Sequence, residues 1–291
     1  MKFTKMQGAG NDFILVEAGD MQWNWPETAT TMCDRHFGIG ADGLLLLSPS
    51  EVADFQMRIF NSDGSEAEAC GNGLRCLAKY ALEKGIAKTD TKEILVETIA
   101  GVRRVKFYRT GSKVTKIQAS MGEPGFGVKD IPVAMESEVG ETFDVKTMLT
   151  HAVILEDREF LLHLISMGNP HAVYFGKEPV VDFPLSQIGP KVEQLTIFPS
   201  GVNFEVANVI SRQQIEARVW ERGVGETLAC GSGACAIAVA ARLHDYIYNK
   251  VDIKLPGGIL DVEWDGAGDV FFGGPTETVF TGVWADRERI I

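Results

Sequence analysis

Along Phe55-Gln56-Met57-Arg58-Ile59-Phe60, apolar and polar residues alternate, the period of a strand with one buried face. The alternation returns 160 positions later, at Ile215-Glu216-Ala217-Arg218-Val219-Trp220. Each strand leads into a polar, glycine-bearing loop and then into a helical pattern. In the second helix, Ala234-Cys235-Ala236-Ile237-Ala238-Val239-Ala240-Ala241, almost every position is apolar, which predicts a helix buried on all sides. Short strands separated by Gly, Pro and Asp account for much of the rest. They are expected at 13–16, 44–47, 94–98, 102–108 and 113–119, and again at 151–155, 160–166, 171–175, 202–210, 251–255, 259–264 and 269–273.

The two units align without a gap over residues 55–85 and 215–245. Arg58 falls on Arg218, Glu66 on Glu226, Ala69-Cys70-Gly71 on Ala229-Cys230-Gly231, and Gly73 on Gly233. A weaker echo sets Gly10-Asn11-Asp12-Phe13 against Gly168-Asn169-Pro170-His171. So long a period excludes a solenoid and indicates two related domains. Turn residues at Met121-Gly122-Glu123-Pro124-Gly125 place the junction there. The expected division is 1–120, completed by 276–291, and 121–275. The expected class is α+β: two pseudo-symmetric domains, each a curved mixed or antiparallel sheet wrapped around a central helix.

A chain of 291 residues has room for two cores, and 45% hydrophobic with 23% charged residues is ordinary globular composition. The net charge of −12 argues against a nucleic-acid surface, and the basic run 103–109 reads as a solvated strand face. No stretch approaches the roughly 18 apolar residues of a membrane span. The N-terminal segment lacks the apolar core of a signal peptide. Five scattered cysteines do not make a disulfide framework, so a reducing, cytoplasmic setting is expected.

In that setting, cysteine followed by Gly-x-Gly and a helix carries chemical meaning. A helix start offers unpaired N–H groups and partial positive charge, which attract anions and lower the pKa of a neighbouring thiol. The glycines at 71, 73, 231 and 233 let a ligand approach the backbone. A carboxylate could then accept hydrogen bonds from Gly71 and Asn72 on one side and from Gly231 and Ser232 on the other. Two opposed thiols flanking one carbon could remove a proton from one face and return one to the other. That is a racemase or epimerase working by two bases.

Other readings of these residues are weaker. The spacings C-x5-C (70/76) and C-x4-C (230/235) are unlike the tight knuckles of structural zinc, so no metal is expected. Cys76 and Cys235 fit buried small hydrophobes, and Cys33 has no suggestive neighbourhood. Gly38-Ile39-Gly40-Ala41-Asp42-Gly43 matches G-x-G-x-x-G but precedes a strand-like leucine run, so it predicts a loop and not a dinucleotide site. No lysine stands in a setting for a pyridoxal Schiff base, and no cofactor is expected. A non-enzymatic thiol-redox or metal-binding protein is the alternative class.

Several motifs resemble those of diaminopimelate epimerases over the whole chain: KMQGAGNDF (5–13), DRHFGIGADG (34–43), RIFNSDGSEAEACGNGLRC (58–76), MGEP (121–124), MGNPH (167–171), GVNFEV (201–206), ERGVGETLACGSGAC (221–235) and LPGG (255–258). The resemblance implies interconversion of LL- and meso-diaminopimelate in lysine and peptidoglycan biosynthesis, with closure of the domains on this small substrate. It implies neither pyridoxal phosphate nor metal, and a possible homodimer. By motif, Cys70 and Cys230 are the catalytic acid/base pair, assisted by His171 and Glu221. Gly71, Asn72, Gly231 and Ser232 would hold the reacting carboxylate. Asn11, Asn61, Asn169, Asn203 and Arg222 would grip the rest, with Arg222 at the distal carboxylate. Gly43 departs from the glutamine of many bacterial members, and 126–160 follows no family pattern. A proline or hydroxyproline racemase is the neighbouring alternative, but the asparagines with Arg222 favour a substrate with a distal amino-acid group.

Overall fold

The computed structural model describes residues 1–19, 21–67, 70–87, 91–111, 113–134, 141–145 (backbone only) and 148–285. Ala69 of the repeat, part of 126–160 and the tail 286–291 therefore lie outside the described residues. The chain divides into two compact units, Met1–Ser120 with the segment from Gly273, and Met121–Phe272.

The first unit opens with β1 (Lys2–Gly8) and β2 (Asn11–Glu17), an antiparallel hairpin. Its turn, Ala9-Gly10, takes positive φ at both residues. Next comes α1 (Trp25–Cys33), which buries Trp25, Ala29, Met32 and Cys33, one helical face. The loop after it caps the helix: Ile39 and Gly40 donate to the Met32 carbonyl and Ala41 to that of Cys33. The glycine-rich string is thus a helix stop leading into β3 (Gly43–Ser48), which pairs in parallel with β2. Antiparallel to β3 runs β4 (Phe55–Asn61), which meets the two-residue β5 (Glu66–Ala67). After α2 (Gly71–Glu83), β6 (Glu93–Thr98) pairs in parallel with β4, and β7 (Gly101–Thr110) and β8 (Lys113–Ser120) complete a meander.

The second unit contains β9 (Glu141–Val145), β10 (Met148–Leu155), β11 (Arg158–Ser166) and β12 (Pro170–Phe175), each antiparallel to the one before. A 3₁₀ turn at Val180–Asp182 and α3 (Leu185–Glu193) precede β13 (Asn203–Ser211), which is parallel to β12. Then β14 (Gln214–Glu221) folds back on β13 and pairs with β15 (Gly225–Thr227). Following α4 (Gly231–Leu243), β16 (Lys250–Leu255) is parallel to β14 and antiparallel to β17 (Gly258–Glu263). β18 (Phe271–Gly273) is shorter than the 269–273 expected. Finally β19 (Thr276–Val283) returns to the first unit, antiparallel to β1.

The pairing order β2, β3, β4, β6, β7 is repeated by β12, β13, β14, β16, β17, with the same parallel and antiparallel senses. Both central helices have 13 residues and begin one residue after their cysteine. Such is the α+β, twofold-repeated architecture. Strands surround each helix: α2 packs on β1, β2, β3, β4, β8 and β19, and α4 on β11, β12, β13, β16 and β17. Consistent with its all-round apolar pattern, α4 is buried at every residue from Gly233 to Ala241. Burying Ile237 and Val239 contributes on the order of 1.5–3 kcal/mol each. Among the described residues no helix is long and apolar enough to cross a membrane.

Candidate active site

In the first unit the chain is extended at Cys70 (φ −141°, ψ 115°) and turns helical at Gly71. Cys70 is the N-cap of α2. Its Sγ accepts from the Gly73 N–H at 3.5 Å, and its carbonyl accepts from Leu74 at 2.8 Å. Both bonds leave the Gly71 and Asn72 amides outside the helical ladder, in the position of anion donors. The half-buried thiol also donates to Asn11 Oδ1 at 3.7 Å, and Asn72 Nδ2 reaches the same oxygen at 3.4 Å. Asn11 is oriented in turn by Asp42, whose Oδ2 accepts from its Nδ2 at 2.7 Å. Arg35 bridges Asp42 and Asp12, each at 2.8 Å, and Lys5 reaches Asp12 at 2.6 Å. Burial alone would raise the Asp12 carboxyl, but hydrogen bonds from Arg35 and Lys5 outweigh it and hold the group down at about 2. Cys70, Asn72 and Asn11 are thus brought together. Asn61, exposed at the end of β4, directs its amide to Ser65 Oγ at 2.9 Å.

The second unit repeats the device. Cys230 (φ −120°, ψ 117°) caps α4, its Sγ accepting from Gly233 N–H at 3.4 Å and lying 3.4 Å from Ser232 Oγ. Gly231 and Ser232 again keep their amides outside the ladder, since Ala234 is the first to bond the Cys230 carbonyl. His171, fully buried on β12, places Nδ1 2.6 Å from Glu205 Oε1 and Nε2 2.9 Å from Asn169 Oδ1. Asn203, its partner across the β12–β13 pairing, donates to the Pro170 carbonyl at 3.0 Å and accepts from the Arg222 N–H at 2.9 Å. Both ends of that amide bind backbone, leaving one N–H and one lone pair for any ligand. Arg222 is exposed and sends Nη1 to the Ser200 carbonyl at 3.1 Å. Glu221 accepts from Thr227 Oγ1 at 2.5 Å. Among the described residues no group of His, Cys, Asp or Glu has the arrangement to hold a metal ion.

The family model described as diaminopimelate epimerase matches residues 3–126 and 163–279, spanning both cysteine loops. The chain belongs to the diaminopimelate epimerase family. Among its relatives, a diaminopimelate epimerase of Acetivibrio thermocellus is 45% identical over 284 residues, covering 97% of this chain and 98% of that one. Another, of Methanococcus maripaludis, is 43% identical over 97% of this chain and 99% of its own. Among solved structures, a PhzF-family phenazine biosynthesis protein of Bacillus anthracis superposes with TM-score 0.68 at 16% identity, over 97% of this chain and 98% of that one. A probable proline racemase of Agrobacterium radiobacter follows at 0.66 and 15%, over 99% and 94%. At such identities these two likenesses concern the fold. The stretch 126–160, without recognisable pattern, lies almost wholly in the gap of the diaminopimelate epimerase match.

The helix start does lower the Cys230 thiol, as expected, but the net result is a thiol pushed well above its ordinary value of 9.0. Burial is the larger cause, followed by the negative charge of Glu221; the Ser232 and Gly233 hydrogen bonds act the other way and are outweighed. Cys76, fully buried inside α2, is pushed up to about 12 by burial, in keeping with a packing role. Sequence reading passed over Glu205, Asp42, Asp12 and Arg35. All four lie inside the quoted motifs, and Glu205 interrupts an apolar strand with a charge, the one local signal available for it.

Proposed function

We propose that this chain interconverts LL- and meso-diaminopimelate by proton exchange between two cysteines, Cys70 and Cys230. The observation that carries this reading is the doubled N-cap thiol: Cys70 and Cys230 each cap a helix whose next two amides are unspent among the described residues, in a chain over 40% identical to diaminopimelate epimerases along its length. One thiolate takes the α-proton, and the electron pair left on carbon is delocalised into the carboxylate. The amides of Gly71, Asn72, Gly231 and Ser232 are the donors suited to that developing charge. The second thiol returns a proton to the opposite face. Atoms and charge balance, with the two sulfurs exchanging protonation states. His171 and Glu221 assist the thiols, and Asn11, Asn61, Asn169, Asn203 and Arg222 bind the remainder of the substrate.

Burial and the Glu221 charge push the Cys230 thiol up, which favours its protonated form. A thiol so placed suits the donor half of the exchange. The test is incubation with LL-diaminopimelate in D2O without pyridoxal phosphate. Inversion with deuterium entering the product well before the recovered substrate supports two bases. Cys70→Ala and Cys230→Ala are each expected to abolish inversion, and normal turnover in either would remove the two-thiol mechanism. A cytoplasmic setting, independence of cofactor and a homodimer belong to the same proposal; light scattering in solution checks the last.

A further inference from the structure

Glu205 has no role in the mechanism above, yet its placement is unusual for a carboxylate. It is 0% exposed, inside an apolar strand, and its Oε1 lies 2.6 Å from His171 Nδ1, also 0% exposed. Among the described residues its other oxygen, Oε2, is buried without a hydrogen-bond partner. A carboxyl group buried with one polar tie contributes little to stability, because desolvation offsets the attraction. The backbone keeps room for it nonetheless: a Cβ on Gly233, in the first turn of α4, would stand 2.9 Å from Glu205 Oε1. Glu205 therefore touches His171 on one side and the Cys230 helix start on the other.

The protons around the ring can be counted. Asn169 Oδ1 faces His171 Nε2 at 2.9 Å, so that nitrogen carries hydrogen. The 2.6 Å contact at Nδ1 requires a second hydrogen, held by the ring or by the carboxyl. The pair thus holds two protons, either as imidazolium and carboxylate or as neutral imidazole and carboxylic acid. Burial, its largest influence, pushes Glu205 up, and His171 pulls the other way. The other ionisable groups acting on this carboxyl are Glu221 on β14 and Cys230 at the start of α4.

We propose that Glu205 is a positioning residue: by sharing the proton at His171 Nδ1 it fixes the ring and keeps Nε2 protonated toward Asn169. Glu205 touches no reacting atom in this scheme; it acts through His171. The kinetic half of the inference rests on the epimerase reading, and the spectroscopic half does not.

The test is Glu205→Gln, which preserves size but cannot share a proton. Turnover of diaminopimelate should fall about 10- to 100-fold with KM changed by less than about threefold, the pattern for loss of a group orienting a functional histidine. In 15N-labelled wild-type protein, His171 should show a strongly deshielded Nδ1 proton, assigned by its absence in His171→Gln and lost in Glu205→Gln. Wild-type turnover in Glu205→Gln, or a fall explained wholly by lost folded protein at unchanged turnover per folded molecule, would overturn the proposal. Should that variant not fold, the wild-type spectrum decides: no deshielded His171 proton, no shared-proton pair. If the wild-type protein fails to invert diaminopimelate but shows the proton, the epimerase reading falls and the pair stands.

Discussion

At the scale of single residues, surroundings decide what each cysteine can do. Cys230 and Cys70 occupy the same cap, yet Cys230 is buried beside Glu221 and Cys70 is only half-buried. Removing the Glu221 charge should therefore favour the Cys230 thiolate. Glu221→Gln is expected to shift the pH profile of Cys230 alkylation by iodoacetamide toward lower pH, read by mass spectrometry of the Cys230 peptide. An unchanged profile would mean that the Glu221 charge has no part in setting this acidity. Gly43 shows the same dependence on surroundings. A Cβ there would stand 2.9 Å from the Phe60 carbonyl, across the β3–β4 pairing that sets Gly43 opposite Asn61. A glutamine at this position requires a shifted strand, and Gly43→Gln should destabilise by about 1–3 kcal/mol in urea unfolding.

At the scale of elements, the first turns of α2 and α4 look alike in sequence and differ in tolerance. An added Cβ at Gly73 would meet the end of the Leu45 side chain at 3.0 Å, a methyl that can rotate away. At Gly233 it would meet the Glu205 carboxyl at 2.9 Å, which the His171 contact holds in place. Gly233→Ala should therefore lower the unfolding temperature by several degrees more than Gly73→Ala. The far end of α4 has its own sensitivity. His163 on β11 is 3% exposed, bonded to Thr150 Oγ1 at 3.3 Å and 3.4 Å from His244 Nε2. Burial, then the His244 charge, lowers it from 6.5 to about 4. The unfolded chain takes a proton near pH 6.5 that the fold refuses until about 4. Stability is intact above 6.5 and declines as pH falls to 4, by about 3 kcal/mol in all. His163→Gln should flatten the urea midpoint across that window. The elements themselves were unevenly legible. Period-two strands and the cysteine helices could be read because their signal is local, and both helices begin at the glycine after the cysteine. By contrast α1 and α3 have only nine residues each, too few for a long apolar period, and α3 also carries Pro190 inside it, which blunts a helical pattern. The tie between Glu205 and His171 spans 34 residues with no periodicity to announce it.

At the scale of the whole molecule, the chain's end completes its beginning. β19 runs antiparallel to β1 from Lys2 opposite Val283 to Gly8 opposite Thr276, and Trp284 exchanges hydrogen bonds with Met1 at 2.7 and 2.8 Å. The first unit therefore lacks one of its strands until β19 is in place, a pairing of high sequence separation that loop closure makes entropically costly. Its fit is tight at one point. Gly282 lies opposite Phe3, and a Cβ at Gly282 would stand 2.6 Å from the Phe3 ring, which is 8% exposed and packs in the core of this unit. The neighbouring Val283 is 74% exposed. Gly282→Val should force the ring out of its site and destabilise by about 1–3 kcal/mol, while Val283→Thr should stay within about 0.5 kcal/mol of wild type. Calorimetry of the two variants separates a strand that closes the first unit from one that merely lies along it. Equal unfolding temperatures would show that the contact between Gly282 and Phe3 contributes nothing to that closure.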